Sequence, residues 1–317
     1  MTFKHNMILG IVASVIGAVA ASPSIVELAL MFVFFIFVPS FLYLASAGRP
    51  QCDYQRRMFQ LSCYSFPFAV FGILAIFVDN GWLSALLAAV WFIFTLSAGI
   101  TSLQRLYKRK FSHPEEAIID IGIAFLIIGG IWHVLARWGI AQFLPYTELT
   151  IDLTSIHYHY SAFILPVFTG LFGRWIFERR LKERGSRGNS VPFIFLCGGM
   201  AIGSPLVALG IAVGNSLQLV MVSIYVIFIY WLCSWCLIKS VHFGLLAGWM
   251  IGLACGSLLV AMGISLLYRL GMYINLDMPQ LTEMIHWHGG LNAFVFSVLA
   301  TGGWLLLSPE AKVSRTK

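Results

Sequence analysis

Apolar runs of about twenty residues recur ten times along this chain, divided by short polar segments. A helix rises 1.5 Å per residue, so about 20 apolar residues cross a hydrocarbon core roughly 30 Å thick. Each run therefore predicts a membrane helix, at 7–23, 26–46, 59–78, 81–103, 116–136, 157–177, 191–213, 217–238, 243–268 and 286–307. The runs do not show the two-residue alternation of an outer-membrane barrel strand. The fold class is thus an all-α polytopic membrane protein with about ten transmembrane helices. No Gly/Ser linker, low-complexity tract or internal repeat divides the chain, and residues 1–317 read as one transmembrane domain. Met1–Ser22 also resembles a signal peptide, with Lys4 ahead of an apolar stretch and small residues from Ala18 to Ser22. Retention as a first membrane helix is the expectation, because the next apolar run follows almost at once.

Composition agrees with the pattern. The chain is 59% hydrophobic and only 10% charged, with a mean hydropathy of +0.87, whereas soluble domains are about a quarter charged. The net charge of +7 does not signal nucleic acid, because the basic residues sit in patches between apolar runs. With the N-terminus placed inside, every Lys and Arg except Arg137 and Arg269 falls on the inner side, including Arg49, Arg56, Arg57, the Arg174–Arg187 group and the tail Lys312–Lys317. That alternation is the positive-inside rule for a membrane protein with both termini cytoplasmic.

Span nine carries Gly244, Gly248, Gly252 and Gly256 in four-residue steps, a smooth face on which a partner helix can pack closely. Cys233-Ser-Trp-Cys236 has a redox-like spacing inside an apolar helix, and reads as packing or lipid-facing cysteine. Gly-rich phosphate loops, nucleophile elbows and His-Glu-x-x-His motifs are absent.

Two His-x-His pairs, His157-Tyr158-His159 and His286-Trp287-His288, open spans six and ten. Both spans run towards the basic side, so the pairs share the outer face, and His133 near the end of span five joins them. Ionisable groups at membrane depth are costly and usually functional. Five imidazoles in one layer suit a transition metal ion, a haem or a proton relay. Residues i and i+2 diverge on a helix but share a face in an extended strand. Both members of a pair can thus reach one ion only if the helix entry is extended; Gly289 and Gly290 suit such an entry in the second pair. Otherwise each pair supplies one ligand and one outward-facing residue. Asn292, four residues after His288, is placed to orient that imidazole. Glu148, Asp152 and Glu283 are acid/base or ligand candidates near the histidines. Asp120 lies in span five nearer the inner face, where a relay role and helix-start electrostatics are both open; Glu115 and Glu116 suit the helix dipole. Arg137 either neutralises an outer carboxylate or meets lipid phosphate. Interfacial anchoring is the competing explanation for the histidine and tyrosine clusters.

The stretch from Leu153 through His157-Tyr-His-Tyr160 to Pro166 and Gly170, together with His286-Trp-His-Gly-Gly-Leu-Asn292 and the run from Ile119-Asp120 to Gly130-Ile-Trp132, resembles signatures of the YndJ-like bacterial membrane proteins. The likeness is clearest over 115–177 and 284–300. It implies a polytopic membrane protein of a family commonly labelled as transporters, and it assigns no catalytic residue. The leading expectation is a metal- or haem-dependent enzyme acting on a lipid-soluble, isoprenoid-like molecule within the bilayer. The alternatives are a proton-coupled secondary transporter, for which Pro166 and Gly203-Ser-Pro205 are candidate helix breaks, and an accessory subunit without catalysis.

Overall fold

The computed structural model describes residues 1–47, 52–188 and 190–308; Arg49 and the basic tail Lys312–Lys317 lie outside them. Among the described residues there is no strand, and ten helical spans are long and apolar enough to cross a membrane. The spans are α1 (Phe3–Ala21), α2 (Ile25–Ser46), α3 (Asp53–Phe77), α4 (Trp82–Arg109) and α5 (Pro114–Trp138). The sixth span, Glu148–Arg184, is two helices, α6 (Glu148–Tyr160) and α7 (Ile164–Arg184). There follow α8 (Val191–Val213), α9 (Asn215–Ser240), α10 (Leu245–Tyr273) and α11 (Leu281–Leu307). All ten spans read from the sequence are present, with the boundary of the sixth moved outward.

That sixth span is the centre of the bundle: 89% of its apolar window is buried, against 17% for α1. Its division follows from Pro166. A proline has no N–H to offer the carbonyl four residues back, and its ring crowds the preceding turn. The helix accordingly stops at Tyr160 and restarts at Ile164, with Pro166 in the first turn of α7. Pro205 does not have this effect, and α8 runs unbroken past it, so the expected break at Gly203-Ser-Pro205 is not there. The bundle compensates for a second proline. Pro67 and the non-helical Tyr64 (φ −119°, ψ 15°) kink α3, and the buried Asn6 of α1 accepts the freed Phe66 N–H at 3.0 Å. Asn6 also donates to Ser65 Oγ at 3.0 Å, which ties α1 to the kink.

One end of the bundle gathers arginines and carboxylates. The last carbonyls of a helix have no intrahelical donor. At the end of α2 they are met by Arg174 of α7, which donates to Leu44 O and Ala45 O at 2.9 Å each, and by Arg105 of α4, at 3.2 Å from Ala45 O. Arg174 also grips Glu116 with both prongs, at 2.6 and 2.8 Å. Arg109 reaches Glu116 at 2.6 Å, Arg105 pairs with Asp120, and Arg187 pairs with Glu115. Thus Glu115 and Glu116 do more than face the dipole: they join α4, α5 and α7.

The glycine series on α10 is not one continuous seam. A Cβ on Gly248 would lie 2.5 Å from the Ser240 carbonyl, so α10 crosses the end of α9 there. Gly244 is the cap of α10 at φ +84°, Gly252 has ordinary contacts, and Gly256 faces open space. Cys233, Cys236 and Cys255 are wholly buried, which makes them packing residues and not lipid-facing ones.

Candidate functional site

His133, His157, His159, His286 and His288 lie at the end opposite the Arg105–Arg109–Arg174 cluster, all but the exposed His286 in two separate groups. α6 starts at Glu148, capped by Thr147, so His157 and His159 lie in its last turn and not in an extended entry. On a helix they must diverge, and they do. His159 turns inward and is completely buried. Its Nδ1 donates to Ser155 O at 2.9 Å, and its Nε2 accepts the Trp91 indole N–H at 3.1 Å. Phe34 stacks on Trp91 at 4.2 Å between centroids and stands 5.0 Å from both His159 and His133. His133, equally buried, donates from Nε2 to Gly72 O at 2.9 Å. Gly129 opposite allows this closeness, since a Cβ there would meet the His159 ring at 2.8 Å.

His157 lies on the other side of α6, within electrostatic range of His288 of α11. The second pair is π-helical, not extended: Ile285–Gly289 and Leu291–Phe296 are successive π segments. His288 Nδ1 donates to Ala261 O of α10 at 2.9 Å, and its Nε2 accepts from Asn292 Nδ2 at 3.2 Å. The orienting role read for Asn292 is therefore present in the geometry. Two polar atoms of this group are buried without a hydrogen-bond partner, His157 Nε2 and Asn292 Oδ1. His286 is exposed and bonds its own turn at Thr282 O.

The carboxylates read as candidates do not converge on these imidazoles. Asp152 pairs with Arg137 at 2.5 Å, so Arg137 neutralises an acid. Glu283 closes a capping box with Gln280, and Glu148 is exposed in the first turn of α6. Asp120 is ion-paired at the arginine end, 13 residues before His133 and so about 20 Å away along α5.

This arrangement tests the fit to a metal ion or haem. His159 and His288 have both ring nitrogens engaged, and His133 has one. Among the described residues no three His, Cys, Asp or Glu side chains come together as a ligand set. The described residues therefore bring together no ready three-ligand set for a metal ion.

Trp91 and Phe34 carry much of this arrangement and were not singled out in the sequence. Phe34 lies in a third π segment, Val33–Phe37, so both histidine groups are flanked by π-helical backbone. Such segments are rare and concentrate at functional sites. Ten apolar spans around buried polar groups define a multi-pass α-helical membrane protein.

The chain belongs to the YndJ-like protein family, whose model matches residues 28–296. It is 28% identical over 300 residues to the "Uncharacterized membrane protein YndJ" of Bacillus subtilis (strain 168), covering 93% of this chain and 50% of that one. The chain thus spans half the length of that curated relative. A shorter likeness, 37% identical over 103 residues, links it to the undecaprenyl-diphosphatase of Rhizobium johnstonii (strain DSM 114642 / LMG 32736 / 3841), covering 31% of this chain and 38% of that one. The undecaprenyl-diphosphatase of Rhizobium etli (strain CIAT 652) matches with the same figures. No solved structure matches this chain.

Proposed function

We propose that the protein lies in a bacterial inner membrane with its arginine end in the cytoplasm, and that its opposite half binds a lipid-soluble, isoprenoid-like molecule at His157, His288 and Asn292. The carrying observation is two buried, unpartnered atoms: His157 Nε2, on a residue within electrostatic range of His288, and Asn292 Oδ1, on the residue hydrogen-bonded to His288. A buried polar atom without a partner costs about 1–3 kcal/mol, which a bound polar group recovers. Asn292 gives one Nδ2 N–H to His288, and its Oδ1 is left as an acceptor without a donor. A hydroxyl answers both atoms: it donates its proton to Asn292 Oδ1 and its oxygen accepts the N–H of His157 Nε2. An ionised phosphate, an acceptor only, would leave Asn292 unmet. The reading is therefore of a lipid alcohol, with His157 as the donor to its oxygen. The partial likeness to proteins named undecaprenyl-diphosphatase supports a polyisoprenyl chain as the apolar part.

Crosslinking with a diazirine-bearing polyprenol tests this. Crosslinks in wild type should map to α6 and α11, and Asn292→Leu should remove them. Labelling that is spread over lipid-facing helices, or unchanged in the variant, refutes the reading.

Proton-coupled transport is the second reading. It is favoured by the interruption of the sixth span at Ser161–Phe163, a break of the kind transporters place near the midplane. Substrate-driven proton uptake by proteoliposomes, lost in Asp120→Asn, would separate it from the first.

A further inference from the structure

Away from the histidines, a groove of about 350 Å³ opens between α3 and α4 on the outer wall of the bundle. The α3 wall is Arg57, Gln60, Leu61, Tyr64 and Phe68, and α4 contributes Phe94, Ser97 and Thr101. Both sets repeat at three- and four-residue steps, so each lines one helix face. The groove exists because α3 is kinked at Tyr64 and Pro67, midway along its wall.

Its chemistry is graded. The basic end holds Arg57, which is exposed and forms no salt bridge among the described residues. Arg56 stands beside it, and Lys108 of α4 sits 5.2 Å over the Tyr54 ring, against Asp53 as the acid of that turn. The far end is aromatic, Phe68 and Phe94. The hydroxyls of Ser97 and Thr101 are spent on their own helix, at Ile93 O (2.8 Å) and Ser97 O (2.7 Å), and make no polar demand on an occupant.

Arg57 to Phe68 spans 11 residues, or about 16 Å of helix, close to half of a hydrocarbon core roughly 30 Å thick. The groove thus runs from headgroup level to the middle of the membrane, cationic at the rim and apolar below. We infer that it is a specific site for one anionic phospholipid, with an acyl chain between α3 and α4 and the phosphate at Arg57. A zwitterionic lipid brings a compensating cation to the same place and gains less from Arg57. A lipid seated there fills the gap left by the kink and braces the α3–α4 pair.

Native mass spectrometry of the detergent-purified full chain, exposed to vesicles of phosphatidylglycerol and phosphatidylethanolamine, tests this. Wild type should retain one phosphatidylglycerol in preference to phosphatidylethanolamine. Arg57→Ala should cut phosphatidylglycerol retention roughly fivefold, the effect of one basic side chain near a membrane surface, and leave phosphatidylethanolamine unchanged. Ser97→Trp should fill the groove and remove both. Ile93→Trp places the same bulk on a lipid-facing position outside the lining residues and should behave as wild type. Equal retention of the two lipids by wild type, or wild-type retention in both Arg57→Ala and Ser97→Trp, would overturn the proposal.

Discussion

Replacing Arg174 by alanine tests how the bundle is held at its arginine end. The guanidinium is 8% exposed and makes four contacts: two to Glu116 at 2.6 and 2.8 Å, and one each to Leu44 O and Ala45 O at 2.9 Å. Removing one partner of a buried ion pair costs about 3–5 kcal/mol, because the remaining charge is stranded. Here Glu116 keeps Arg109 at 2.6 Å and Ala45 O keeps Arg105, which puts the loss near the lower end, about 3 kcal/mol. At about 2 °C per kcal/mol for a chain of this size, the apparent Tm should fall by roughly 6 °C. Thermal shift in detergent, read as loss of the monodisperse peak, measures it. Arg174→Lys keeps the charge without the planar fork and should fall in between. Arg179→Ala removes an exposed pair with Glu183 one helical turn on, and should leave the Tm in place. Equal Tm values for Arg174→Ala and Arg179→Ala would refute the view that the network closes this end.

Three further outcomes follow from the packing. Trp91→Phe keeps most of the aromatic volume but leaves His159 Nε2 without a donor, and should lower stability by about 1–3 kcal/mol in the same assay. Gly248→Ala should cost about 1–3 kcal/mol through overpacking against the Ser240 carbonyl, while Gly256→Ala, which meets nothing within 4 Å, should melt as wild type. His286→Ala, at an exposed imidazole bonded only to its own turn, should leave both stability and ligand retention unchanged; a loss of ligand would place the site elsewhere.

The spans were legible because apolar length is a one-dimensional property, and nine of the ten have both ends within about six residues of where hydropathy puts them. The exception, the start of the sixth span, shows what hydropathy misses. Glu148, Asp152 and Thr154 are too polar to score as membrane helix, yet Thr147 caps a helix there and Arg137 neutralises Asp152. The histidine layer was legible as a set of positions. Its division into two groups was not, since which way His157 and His159 turn depends on where the helix begins. Asn292 was legible because its four-residue offset from His288 survives the π segments closely enough for a 3.2 Å contact. Arg105 and Arg174 read as loop charge in the sequence. Their burial becomes visible only when α2 ends beside them and leaves carbonyls to be met. Trp91 and Phe34 gave no signal, because an aromatic residue in an apolar run looks the same whether it faces lipid or a histidine.

The central claim is a hydroxyl-bearing lipid held at His157 and Asn292, and its most direct test is mass spectrometry of the lipid extract from purified protein. Wild type should carry a polyisoprenyl alcohol at near-stoichiometric yield, and a His157→Ala/Asn292→Leu variant with an unchanged Tm should carry none. The same lipid at the same yield in both proteins, or only bulk phospholipid in wild type, would contradict the account.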